Sequence, residues 1–231
     1  MLTMKYSWLL FDADGTLFDF EKAQEQALRN TFKNLRINFR ESYYQSYQEI
    51  NTFLWKRYER AEIKQNKIPY QRFYNFFEEN NILADAQKAS ELYLEYLGRE
   101  HELLDGAEEL IKKLATEYKL VLITNGLKSV QRPRFLSAVI TPYFEEIIIS
   151  EEVGFAKPQK EIFDITFERI NNPPKEVVMI IGDNPGSDIL GGIEYGIDSC
   201  WYNPSAEELY DGIIPTYEIR NYDELIELLE D

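Results

Sequence analysis

Short apolar runs punctuate the chain, and several end abruptly in polar, glycine-bearing segments. Trp8-Leu9-Leu10-Phe11 runs into Asp12-Ala13-Asp14-Gly15-Thr16, Leu120-Val121-Leu122-Ile123 into Thr124-Asn125-Gly126, and Val177 to Ile181 into Gly182-Asp183. Ile147-Ile148-Ile149 and the run from Cys200 to Tyr202 complete the set. Runs this short, apolar at successive positions, predict strands of a parallel sheet covered on both faces. Helical spacing fills the gaps, at about 107–117, 127–139, 161–170, 186–195 and 222–229. In the first of these helices Glu108 and Glu109 precede Lys112 and Lys113, the charge order that suits a helix dipole. Pro133 falls inside the second, where it should kink the helix or set its true start near Arg132. Strands alternating with helices predict an α/β fold, a doubly wound parallel sheet.

One region breaks that alternation. From Asp19 to Gly98 no strand pattern appears, while apolar residues recur at helical spacing: Phe32, Leu35 and Phe39, then Tyr43, Tyr47 and Ile50, then Phe73, Phe76 and Phe77. Four or so amphipathic helices fit, with breaks at Pro69 and at Asn80-Asn81. This is an insertion after the first strand. The expected organisation is a core domain from residues 1–18 plus 99–231 and an inserted helical cap domain from 19–98. Most of the aromatic rings of the insertion should be core, with a few facing a cleft.

Composition narrows the function. The chain has 231 residues, 44% of them hydrophobic, enough for a real core. Lys and Arg number 25 against 41 Asp and Glu, a net charge of −16. Such a surface repels nucleic-acid polymers, so any phosphate site must bring its own positive charge. No apolar run approaches the roughly 18 residues needed to span a bilayer, and the N-terminus does not read as a signal peptide. A single cysteine, Cys200, excludes an internal disulfide and reads as a small hydrophobe. The expectation is a cytoplasmic protein with no membrane partner. His101, the one histidine, reads as a surface residue.

Chemistry gathers at the strand ends. Asp12 and Asp14, Thr124, Lys157, and Asp183 with Asp188 all follow strands or lie in the loops beyond them, and in a parallel sheet these ends share one edge. Close carboxylates repel, and a divalent cation relieves the conflict; Mg²⁺, a hard ion with oxygen ligands, suits it. The set fits phosphoryl transfer through an aspartyl phosphate, which depends chiefly on positioning and charge stabilisation. Mg²⁺ held by Asp12 and Asp183 would neutralise the nucleophile and one phosphoryl oxygen. Thr124 offers a hydroxyl, and the turn through Asn125 and Gly126 offers backbone N–H groups, to the remaining oxygens. Lys157 supplies a point charge. Asp188 is placed to hold Lys157 or a metal-bound water, and Asp14 can protonate a leaving oxygen and later take a proton from water.

The ordered set FDADGT, ITNG, Lys157-Pro158 and GDNPGSD resembles the four motifs of the haloacid dehalogenase (HAD) superfamily over the whole chain. The resemblance implies a Rossmann-like core, Asp12 as nucleophile and Asp14 as general acid/base. It also implies Mg²⁺ bound by the Asp12 carboxylate, the Asp14 backbone carbonyl and the Asp183 carboxylate. Thr124, Asn125 and Lys157 would bind phosphate, with Asp188 supporting them, and the insertion looks like a type C1 cap. ISEEVGFAKP, GDNPGSDILGGIEYGIDSCWYN and Asn51-Thr52-Phe53-Leu54-Trp55 further resemble the bacterial pyrimidine 5′-nucleotidase branch. That branch implies a nucleoside monophosphate as partner. A phosphosugar phosphatase or mutase of the same superfamily would keep the same motifs, and a non-catalytic binding module on this fold is the alternative from another class.

Overall fold

The computed structural model describes residues 5–60, 62–209 and 212–230. It divides into two compact units. The first takes the residues up to Asp19, Glu102–Gly126 and those from Ser137 onward; the second takes Phe20–His101 with Leu127–Leu136.

The elements run in this order. Strand β1 is Trp8–Phe11; helices α1 (Phe20–Leu35), α2 (Glu41–Glu59), α3 (Ile68–Glu79) and α4 (Ala86–Leu97) follow. Next come α5 (Ala107–Leu114), β2 (Lys119–Thr124), α6 (Lys128–Ser137), β3 (Phe144–Ile149), the short α7 (Ser150–Val153) and α8 (Lys160–Arg169). Then β4 (Val178–Gly182) leads through a π-helical turn at Pro185–Ile189 into α9 (Leu190–Tyr195), and β5 (Asp198–Tyr202), β6 (Tyr217–Ile219) and α10 (Tyr222–Glu230) complete the chain.

In the α/β unit the six strands lie in the order β3-β2-β1-β4-β5-β6, every pair parallel. Residues alternate between the two faces of the sheet. On one face Leu10, Val121, Ile148 and Ile180 pack against Ile162 and Phe163 of α8. Their neighbours Leu9, Leu122 and Met179 are equally buried, so both faces are covered. The sequence expectation of a doubly wound parallel sheet is met. β6 is an addition to it; its three residues are too short and too mixed in exposure to carry a strand signal. The strand order reverses between β1 and β4. Such a switch point opens a crevice at the carboxyl ends of the strands, where ligands of open α/β sheets bind. The chain leaves this unit beyond Asp19 and returns at Glu102, and just inside those points Phe18 and Leu103 form an antiparallel bridge.

The helical unit has its own core. Phe32, Tyr47, Phe73, Phe76 and Tyr93 are buried within it, joined by ring contacts such as Phe32–Phe76 at 5.5 Å and Tyr47–Tyr93 at 5.4 Å. Pro69 sits in the first turn of α3, where its missing N–H is harmless. Asn80 caps the C-terminal end of the same helix, and Asn81 turns with φ +52°.

Two sequence expectations are modified here. Leu127 and Val130 pack into the helical core, so that unit gathers chain from beyond the 19–98 insertion. Pro133 does not set a start near Arg132; α6 begins at Lys128 and runs through the proline. The proline lies on an exposed position, while the adjacent Arg134 is fully buried. The Arg134 guanidinium donates from Nε to Glu100 O (2.7 Å) and from Nη1 to Gln131 Oε1 (2.7 Å). Those contacts hold the helical turn that the proline weakens.

Candidate active site

The register of the sheet assembles the site. Phe11 lies beside Leu122 and Ile181, so Asp12 emerges next to the end of β4. The Asp12 N–H donates to Ile181 O (2.9 Å). Beyond Asp12 the chain turns tightly, with Leu17 N and Phe18 N both donating to Ala13 O and Gly15 N donating to Phe18 O. Gly15 takes φ +87°, and a Cβ there would run into the Asp183 carboxylate, with Cγ 2.8 Å away. Glycine is needed at this position for both its torsion and its closeness. Gly182 is a second close approach, where a Cβ would collide with the Asp188 carboxylate.

Lys157 stands at the centre of the site and is fully buried. Its Nζ lies 2.5 Å from Asp12 Oδ1 and 2.7 Å from Asp188 Oδ1, and donates to Ile123 O at 2.7 Å. The ammonium thus donates to Asp12 and to the Ile123 carbonyl and forms a close ion pair with Asp188. The Asn125 side chain clasps the Lys157 peptide from both sides: Nδ2 donates to Lys157 O and Oδ1 accepts from Lys157 N, each at 2.8 Å. The Asn125 side-chain amide thus holds the lysine loop beside the site. Thr124 is buried, and its hydroxyl oxygen accepts from Gly126 N at 3.2 Å.

Asp188 comes from the π-helical turn, whose first N–H groups are capped by Asn184 Oδ1. Its Oδ2 accepts from Asn184 N at 3.1 Å. Such turns recur at functional sites. Asp183 is half-buried. Thr16 Oγ1 donates to its Oδ1 (3.1 Å), and the Trp201 indole Nε1 donates to its backbone O (2.9 Å).

The electrostatics are under tension. Burial pushes the Asp12 carboxyl above the usual carboxylate range, with the Lys157 charge pulling the other way. Burial acts against the Lys157 ammonium too, but Asp12 and Asp188 outweigh it and push its pKa up. With three good acceptors around Nζ, we take the Lys157–Asp12 pair as charged. Asp183 is raised to about 7, first by burial and then by the negative charge of Asp188. Carboxylate oxygens of Asp12, Asp183 and Asp188 all lie within 4.8 Å of one another. With Lys157, these four groups carry a net charge of −2 when all are ionised. An all-oxygen donor set with that charge fits a hard divalent cation. The Asp14 side chain is not in this group of oxygens, whereas Asp188, expected in support, is.

Thr16, Trp201 and Asn125 thus hold site residues by contacts that no motif spacing announces. Thr16 lies within the DADGT segment, and Trp201 stands opposite Gly182 in the sheet register.

A parallel sheet that gathers three aspartates and a buried lysine at its switch point is the arrangement of an α/β-class enzyme. The profile of the haloacid dehalogenase-like hydrolases matches residues 6–196, and the chain belongs to that family. It is 37% identical to the HAD-hydrolase YfnB of Bacillus subtilis over 97% of this chain and 96% of that protein. A crystal structure of YfnB bound to magnesium, described as revealing interdomain movement, superposes with a TM-score of 0.93 over 98% of this chain and all of that one. Similarity extends to the pyrimidine 5′-nucleotidases YjjG of Escherichia coli (35% identity, 98% of this chain and 99% of that protein) and PynA of Streptococcus pneumoniae (33%, 98% and 96%). The chain is an enzyme of the phosphoric monoester hydrolase class. No helix among the described residues is long and apolar enough to cross a membrane.

Proposed function

We propose that the chain is a Mg²⁺-dependent phosphatase of nucleoside 5′-monophosphates, pyrimidines preferred, acting in the cytoplasm through an aspartyl phosphate on Asp12. The observation that carries the chemistry is the buried Lys157 between Asp12 and Asp188, with Asp183 completing an acidic group at the switch point. The substrate class is supported by the names of two relatives that align over nearly their whole length.

In this reading the Asp12 carboxylate attacks phosphorus as the bond to the ester oxygen breaks. Asp14 gives that oxygen a proton. Water then attacks the aspartyl phosphate, passing a proton to Asp14 and releasing inorganic phosphate and free Asp12. Lys157 holds Asp12 in place and offsets phosphoryl charge, and Asn125 keeps the lysine loop in position. Thr124 and the turn after it face the remaining phosphoryl oxygens. Asp12 and Asp183, with the Asp14 carbonyl, would hold the ion, and Asp188 fixes Lys157. When bound, Mg²⁺ supplies Lewis-acid stabilisation of the phosphoryl charge.

The test is phosphate release from UMP, dUMP, dTMP, AMP, GMP and several sugar phosphates, with Mg²⁺ and with EDTA. Metal-dependent release greatest on the pyrimidine monophosphates is expected. Metal-dependent release that peaks on a sugar phosphate would keep the chemistry and discard the nucleotide preference.

A further inference from the structure

Two aromatic residues outside the four catalytic motifs, Trp201 and Tyr222, act on Asp183. Trp201 pairs with Gly182 in the register of β4 and β5, which carries its indole over the strand end to the Asp183 carbonyl at 2.9 Å. Tyr222 opens α10, the last helix. Its hydroxyl donates to the backbone O of Thr16 at 2.7 Å, and the Thr16 hydroxyl donates to Asp183 Oδ1 at 3.1 Å. The Tyr222 ring is itself fixed, stacked on Tyr202 with centroids 5.1 Å apart and planes 11° from parallel. Asp183 is therefore held at both ends, its main chain by Trp201 and its carboxylate by Thr16, whose own peptide is pinned by Tyr222.

We infer that Trp201 and Tyr222 are positioning residues that aim the Asp183 carboxylate at a bound divalent cation. The inference rests on the reading of Asp183 as a metal ligand. A carboxylate left to rotate must be ordered when the ion binds, and that ordering weakens binding. Outer partners of metal ligands commonly change metal affinity by about 10- to 100-fold. The segment from Asp12 to Thr16 also carries Asp14, so the Tyr222 bond steadies both sides of the site at once. The last helix of the chain thereby acts on the chemistry without touching it.

The experiment is calorimetric titration of MgCl₂ into metal-free protein, on the wild type and on Tyr222→Phe, Trp201→Phe, Asp183→Asn and Tyr118→Phe. Tyr222→Phe keeps the ring stack and removes only the hydroxyl, so it suffices should the buried Trp201 not tolerate replacement. Tyr118→Phe removes a similar phenol-to-carbonyl bond, to Leu229 O at 3.1 Å, from the same helix away from the site. Tyr222→Phe and Trp201→Phe should bind Mg²⁺ about tenfold more weakly than wild type, with Tyr118→Phe unchanged. If Asp183→Asn loses binding while Tyr222→Phe matches wild type, the inference is overturned and the metal reading stands. If Asp183→Asn binds as the wild type does, the metal reading fails and takes the inference with it. Equal weakening by Tyr118→Phe would mark the effect as general loosening of the helix and overturn it as well.

Discussion

Replacing Lys157 by Met tests how much of the site's stability depends on one charge. The ammonium is fully buried and engages Asp12, Asp188 and the Ile123 carbonyl, all within 2.7 Å. Met fills similar volume but leaves two buried carboxylates facing each other and a carbonyl without its donor. Removing one member of a buried ion pair costs about 3–5 kcal/mol, because the partner stays buried and uncompensated. For a unit of this size each kcal/mol shifts the melting temperature by roughly 2–4 °C, so a fall of about 6–20 °C is expected. The assay is thermal unfolding in EDTA, followed by intrinsic tryptophan fluorescence, to which Trp8 and Trp201 of the α/β unit contribute. The acidic group also becomes more negative by one charge, so added Mg²⁺ should recover more stability in the variant than in the wild type. Lys157→Arg should not rescue, since the planar guanidinium is larger than the space around a point charge that is already enclosed. A Lys157→Met protein that melts within about 2 °C of the wild type in EDTA would refute the reasoning.

Gly182→Ala should abolish phosphate release and destabilise by about 1–3 kcal/mol in urea titration, because its Cβ collides with the Asp188 carboxylate. Asp198 is a pH probe far from the chemistry. Burial works against its charge, but hydrogen bonds from Lys5 and Tyr6 prevail and hold its pKa below 3.8. Its contribution to stability is therefore present above pH 3.8 and lost as pH falls through the lower folded value. Asp198→Asn should flatten that acid limb in melts taken across pH, by lowering stability in the neutral range while leaving it little changed below the folded value. In the helical unit Arg72 is buried among aromatic rings, its guanidinium 4.3 Å from the centre of Tyr93, and donates to Asn51 Oδ1 at 3.1 Å. Asn51→Ala should cost about 1–3 kcal/mol in urea titration by stranding that donor. Adding Arg72→Met should recover most of the loss, since an apolar pair leaves nothing unsatisfied.

Much of the site was legible because its residues follow apolar runs too regular to be loops. Asp12, Thr124 and Asp183 each sit at a strand end, and once the strands are known to be parallel they must share an edge. Lys157 was legible by its charge in an acidic chain. What stayed hidden depended on packing between distant segments. The Asn125 amide looks like any turn residue until the Lys157 loop lies against it. Trp201 and Tyr222 read as a strand residue and a helix start, since a hydrogen bond to a backbone carbonyl leaves no mark in sequence spacing. The helix that begins at Lys128 was found by its periodicity. That Leu127 and Val130 join the helical core was not, because an apolar face does not name the layer it meets. Pro133 misled for a related reason. Local propensity allowed a helix start near Arg132, and the helix instead runs through the proline, with the buried Arg134 beside it held by contacts with Glu100 and Gln131.

The central claim is that Asp12 is the nucleophile, and the direct test is phosphate release by Asp12→Asn with UMP at saturating Mg²⁺. Asn is nearly isosteric and keeps an oxygen for Lys157, so circular dichroism should find the fold intact. Removing a nucleophile should lower turnover by on the order of 10⁴-fold or more. An Asp12→Asn protein that turns over UMP within about tenfold of the wild-type rate would contradict the account, because no aspartyl phosphate can form on an amide.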